Sequence, residues 1–116
     1  MGQALNIALL PGDGIGPEVT DVAEAVLNLL IQRYQLPLGY TRFDWPSHAW
    51  HQAHGEMMPG DGVAQLREFD AMLLGALGDP GPLEDPSRFV LSDSVSLAPL
   101  LALRKQLDLW ACERPA

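Results

Sequence analysis

The chain has a single cysteine, few basic residues and no long apolar run, and each shortage closes off a class of function. Cys112 is the only cysteine, so no internal disulfide can form, and a reducing cytoplasm is the simplest expected setting. Seven Lys and Arg stand against 15 Asp and Glu, a formal charge of −8, and the seven are scattered. Nucleic acid and anionic membrane both demand a concentrated basic patch that displaces counterions, so neither is an expected partner. The longest apolar stretches, residues 23–31 and 71–77, are interrupted or short. Neither reaches the ~20 helical residues that span a bilayer. No signal-peptide pattern opens the sequence. At 116 residues there is length for one small domain, burying about two-thirds of its unfolded surface.

What is present is alternation. Apolar runs change places with amphipathic segments, the pattern of a βαβ series. Residues 4–10 read as a buried strand. From Pro17 the apolar residues Val19, Val22, Val26, Leu29 and Leu30 fall at helical spacing as far as Tyr34, and Pro17 suits a first-turn position that needs no amide hydrogen. Residues 37–45 carry Leu38, Tyr40 and Phe43 and read as a second strand ending near Asp44. Asp61 is placed to cap a short helix whose buried face is Val63, Leu66 and Phe69. Residues 70–76 make a third strand, and residues 75–93 a glycine- and proline-rich loop long enough to be functional. A helix over 97–105 and an apolar strand over 107–112 complete the expectation.

The stretch "LLPGDGIGPEV", Leu9 to Val19, joins the first strand to the first helix. A glycine turn there aims backbone N–H groups and the positive end of a helix dipole at any anion in front of it. The spacing is Gly12-x-Gly14-x-Gly16, however, and not the Gly-x-Gly-x-x-Gly of a dinucleotide fold. Asp13 and Glu18 add negative charge, and Asp44 lies further on than the roughly 20 residues at which a ribose-binding acid is expected. On local pattern alone, a turn that only lets helix and strand pack closely explains the glycines as well as a phosphate cradle does.

Read with two further stretches, "HGEMMPGDGVAQLREFDAMLLGALGDP" and "LLALRKQLDLWACERPA", the loop resembles the β-decarboxylating dehydrogenases, the isocitrate, isopropylmalate and tartrate/D-malate dehydrogenase family. The resemblance runs along nearly the whole chain in the same order. It implies an α/β fold with alternating strands and helices that is not a Rossmann fold, here one partial domain over residues 1–116 that stops before the family's second domain. It implies NAD- or NADP-dependent oxidation, assisted by Mg2+ or Mn2+, of a 2-hydroxy acid bearing a second carboxylate, usually with loss of CO2, by a cytoplasmic homodimer. Asp13, Gly14, Ile15 and Gly16, with Gly75, Gly78, Asp79 and Pro80, match loops along which the cofactor lies. Arg104 and Arg114 match positions that hold substrate carboxylates, a task suited to a planar, always-charged guanidinium.

The sequence also departs from the family pattern. Glu113 precedes the "RP" where an apolar or amide residue is usual, Pro99 replaces a glycine, and Leu97 stands where isopropylmalate dehydrogenases place an acid. The loop over 81–93 is longer than in most members, while "FDW" and "GDP" lean towards tartrate/malate or actinobacterial isopropylmalate types. The family's metal-binding aspartates and its proton-moving tyrosine and lysine match positions beyond Ala116, so the resemblance places no catalytic or metal residue within the chain. His48, His51 and His54 have a spacing that can take zinc on a helix, but with no cysteine near and only Glu56 beside them they read as an ordinary surface segment. A reading of another class remains beside the enzyme: a non-catalytic nucleotide-binding or regulatory module.

Overall fold

The computed structural model describes residues 4–78 and 93–115. Its elements alternate as β1 (Leu5–Gly12), α1 (Gly16–Tyr34), β2 (Leu38–Arg42), α2 (His48–His54), α3 (Gly62–Leu66), β3 (Ala71–Ala76), α4 (Asp93–Ser96) and α5 (Ala98–Gln106). The three strands form one parallel sheet in the order β2-β1-β3. Ile7 sits opposite Tyr40 on one side and Ala71 on the other. A Rossmann half sets its third strand outside the second, in the order 3-2-1. Here the third strand crosses to the far side of β1, and the expectation of an α/β fold that is not Rossmann holds.

β1 is central, and its residues explain why. Ala8, Leu9 and Leu10 are fully buried, which fits a strand covered on both faces. Ala8 and Leu10 belong to the main core with Trp45, Leu66 and Leu103, against which Phe43, Trp50, Met72 and Leu74 pack. Phe43 anchors this layer, tilted on Trp45 at 4.7 Å and edge-on to Phe69 at 5.6 Å, distances at which ring quadrupoles attract. Leu9 points to the opposite face, which α1 covers by packing on β1 and β3.

α1 meets the sheet through an unexpected stripe. Gly16 and Thr20 are its buried residues, with Ala23, Leu27 and Ile31 half-buried behind them. The residues whose periodicity predicted the helix, Val19, Val22, Val26, Leu29 and Leu30, are all exposed, Val22 by 66%. At 3.6 residues per turn the two stripes lie about a third of a turn apart. On the other flank Asp21 and Glu24 bond to Arg42, and Asn28 accepts from the Tyr40 hydroxyl at 2.8 Å. That flank leans over β2, so the exposed stripe looks the opposite way, where no described element covers it.

Two further expectations need correction. Residues 107–112 are not a strand. No described strand pairs with them, Asp108 has a left-handed φ of 57°, and Trp110 is 88% exposed. Cys112, expected within that strand, is exposed. Asp61 precedes α3 but makes no side-chain cap, because its backbone (φ −96°, ψ 12°) is not in the extended conformation that turns a cap side chain onto the helix N–H groups. Ser47, extended at φ −166° and ψ 159°, does cap α2 by accepting from Trp50 N–H.

Candidate functional site

In open parallel sheets ligands bind beyond the carboxyl ends of the strands, where the strand order reverses. In this sheet β1 is followed by β2 on one side and later by β3 on the other, so the reversal lies between β1 and β3. The two segments that leave those strand ends are the glycine loops picked out in the sequence, 12–16 and 75–78.

The glycines of the two loops divide by task. A Cβ on Gly12 would collide with the carbonyl oxygen of Ala76, and one on Gly16 or on Gly75 with that of Pro11. These three let the N-terminus of α1 sit directly on the β1–β3 junction. Gly14 and Gly78 are different. Like Gly12, both have left-handed backbones, φ 57° and 98°, but a Cβ on Gly14 would come no nearer than 3.7 Å to the Gly78 carbonyl oxygen and one on Gly78 would meet nothing within 4 Å among the described residues. Ile15, between the packing and the open glycines, is 65% exposed at the start of α1. Gly14, Ile15 and Gly78 therefore offer bare backbone and one apolar side chain to whatever lies over the switch point. Such a surface fits a flat, polyfunctional ligand approached at main-chain distance.

Asp13 ties the two loops together. It is 6% exposed. One carboxylate oxygen accepts from His48 N–H at 2.6 Å and the other from Gly78 N–H at 3.1 Å. Its own N–H donates to the Ala76 carbonyl at 2.6 Å, and its carbonyl accepts from Gly16 N–H at 2.8 Å. Of the other positions expected to face a cofactor, Asp79 and Pro80 lie outside the described residues.

Beside this junction, over β2, is a recess of 690 Å³ lined by Gly12, Asp13, Arg42, Phe43, Asp44 and Ser47 among others. Sequence reasoning missed Arg42. Its guanidinium holds Asp21 at 2.7 Å and Glu24 at 2.9 Å. The hydrogen bond to Asp21 is the main cause that raises its pKa, against burial, with Glu24 adding to the rise. The two acids three positions apart on one flank of α1 were a legible signal, but their partner lies a crossover away.

Arg104 occupies the last turn of α5 and lines a second recess, of 500 Å³, with Leu10, Leu74, Leu100, Trp110 and Glu113. Arg114 is exposed on the following segment and does not line that recess. Among the described residues the ion pairs are those of Arg42, so neither Arg104 nor Arg114 is matched with a carboxylate. Arg67, by contrast, is spent on the Gln106 carbonyl at 2.6 Å. His48, His51 and His54 do share α2, but His54 stacks on Trp50 at 3.8 Å, and no three His, Cys, Asp or Glu among the described residues are grouped to hold a metal.

Residues 6–116 match the family model for isocitrate/isopropylmalate dehydrogenase. The chain belongs to that family. The match takes in both glycine loops, Arg104 and Arg114. A probable tartrate dehydrogenase/decarboxylase of Bacillus subtilis is 39% identical over 116 residues, covering 98% of this chain and 30% of the relative. The D-malate dehydrogenase [decarboxylating] of Escherichia coli is 35% identical over 99% of the chain and 30% of its own length. The 3-isopropylmalate dehydrogenase of Bacillus licheniformis is 42% identical over 95% and 28% respectively. Among solved structures, the apo β-decarboxylating dehydrogenase of Thermococcus kodakarensis superposes with a TM-score of 0.59 at 30% identity, over 90% of this chain and 27% of that one. The chain thus spans less than a third of the length of these relatives. The family is one of decarboxylating hydroxy-acid dehydrogenases.

Proposed function

We propose that this chain supplies the dinucleotide-facing loops and two carboxylate-holding arginines of an enzyme of the relatives' length. That enzyme oxidises a 2-hydroxy dicarboxylic acid such as isopropylmalate, isocitrate, tartrate or malate with NAD or NADP and releases CO2. The observation that carries the reading is the meeting of loops 12–16 and 75–78 at the strand-order reversal, with Gly14 and Gly78 open.

Each described group then has a task. Gly14, Ile15 and Gly78 bring main chain against the cofactor, which when bound supplies the hydride acceptor. Asp79 and Pro80 continue that contact in the proposal. Arg104 and Arg114, unmatched by acids, take two substrate carboxylates, and paired guanidinium donors orient them; once the hydroxyl-bearing carbon is oxidised to a ketone, the carboxylate β to it is lost as CO2 and the electron pair of the broken C–C bond passes into the ketone as an enolate, which is then protonated. The described residues hold no grouped set of ligands that fits Mg2+ or Mn2+. The enzyme is proposed to be a cytoplasmic homodimer.

The test is to sequence the native coding DNA and transcript past the codon for Ala116, express the whole product, and follow NAD(P) reduction with the four acids. Turnover with one of them is expected. In that product Arg104→Lys or Arg114→Lys is expected to raise the KM for the acid or lower kcat by at least about tenfold, since an ammonium cannot reproduce the paired donors. Unchanged kinetics in both variants sinks the arginine assignment. A native stop codon at this point, with dinucleotide binding but no turnover, supports the non-catalytic module instead.

A further inference from the structure

The carboxylate of Asp13 is the one buried acid among the described residues, and no ligand is needed to explain it. Its two oxygens are taken by the N–H groups of His48 and Gly78, 35 and 65 positions away. The same residue's main chain is bonded to Ala76 and Gly16. Four bonds from one residue thus join the turn after β1, the start of α2 and the segment after β3.

We propose that Asp13 is a positioning residue that sets the gap between the two glycine loops and does not itself touch the dinucleotide. This rests on the reading of those loops as dinucleotide-facing. The carboxylate acts at both ends of the gap. By holding Gly78 N–H it fixes the β3 loop against the α1 loop, where a Cβ on Gly14 would stand 3.7 Å from the Gly78 carbonyl oxygen. By holding His48 N–H it fixes the same turn against α2. A charge-assisted bond to an N–H is shorter and stronger than a neutral one, and the 2.6 Å bond to His48 is of that kind. An amide side chain at this position could accept only on one side, because its NH2 group would face an N–H on the other. Gly78 has no side chain with which to hold its own place, and among the described residues nothing within 4 Å would meet a Cβ there. Losing the carboxylate therefore releases the loop rather than the fold.

Asp70 provides the control. Its carboxylate accepts from Asn6 N–H at 2.8 Å, also bridging β1 and β3, but at the opposite end of the strands. Both residues make long-range carboxylate bonds to main chain; only Asp13 does so at the loops.

The experiment compares the whole expressed product with its Asp13→Asn and Asp70→Asn variants, reading amide hydrogen exchange by NMR and titrating each with NAD. The expected result for Asp13→Asn is exchange at least about tenfold faster at the Gly78 or His48 amide and NAD affinity at least about tenfold weaker. Asp70→Asn is expected to leave both readouts at the loops within about twofold while lowering the unfolding midpoint. The proposal is overturned if Asp13→Asn keeps both amides protected, or if the two variants weaken NAD in proportion to their loss of stability. An absence of any NAD effect on the unsubstituted whole product overturns the dinucleotide reading, and the exchange comparison then decides the clamp by itself.

Discussion

Two glycines of the same chain show how a residue's role depends on what faces it. Gly12 has φ 79°, and a Cβ there would collide with the Ala76 carbonyl oxygen, whereas Gly60 has nothing within 4 Å and no left-handed φ. Gly12→Ala is expected to cost about 2–4 kcal/mol from strain and overpacking. Gly60→Ala is expected to be neutral or to stabilise by about 0.4–1 kcal/mol through the unfolded state. Urea unfolding of the two variants measures both, and equal midpoints would contradict the packing role of Gly12. The sequence displayed three glycines in five positions and could not say which of them pack. The partner that decides it, Ala76, is 64 positions away. Asp13 was legible as a loop acid beside a possible ligand, but its two N–H partners are set by tertiary structure alone.

At the scale of the element, periodicity located α1 and misjudged its buried side. The expected helix over 17–34 is Gly16–Tyr34, because Pro17 and the i, i+3, i+4 apolar spacing are local signals. Which of two apolar stripes meets the sheet is not local. Small residues, Gly16 and Thr20, win the contact since they let the helix lie close to β1 and β3, and the larger Val22, Val26 and Leu29 are left outside. Accordingly, Val22→Lys with Val26→Lys is expected to change the stability of this chain by less than about 0.5 kcal/mol per site. Leu9→Ala, in the fully buried centre of β1, is expected to cost about 2–5 kcal/mol. Thermal or urea unfolding distinguishes the two cases; a large loss from the lysine pair would mean that the stripe is covered. The strand expected over 107–112 failed for a related reason. An apolar run specifies burial, but a strand also requires a partner for its hydrogen bonds, and none of the described strands pairs with it.

For the molecule as a whole, the family was legible because ordered motifs spread along the chain survive where single ones are ambiguous. The topology that gives those motifs a common place was less so. Strand order β2-β1-β3 brings residues 12–16 and 75–78 to one switch point, while Arg104 lies over a separate recess and Arg114 outside it. The recess beside Arg42 and Asp44 is larger, 690 Å³, but its guanidinium is already held by two acids. Chemistry, rather than size, favours the glycine loops. The measurement that bears most directly on this account is an amide chemical-shift map of the whole expressed product titrated with NAD. The account predicts changes concentrated at Gly14, Ile15, Gly16 and residues 75–78. Changes concentrated instead around Arg42, Asp44 and Ser47, with the glycine loops unmoved, would contradict it.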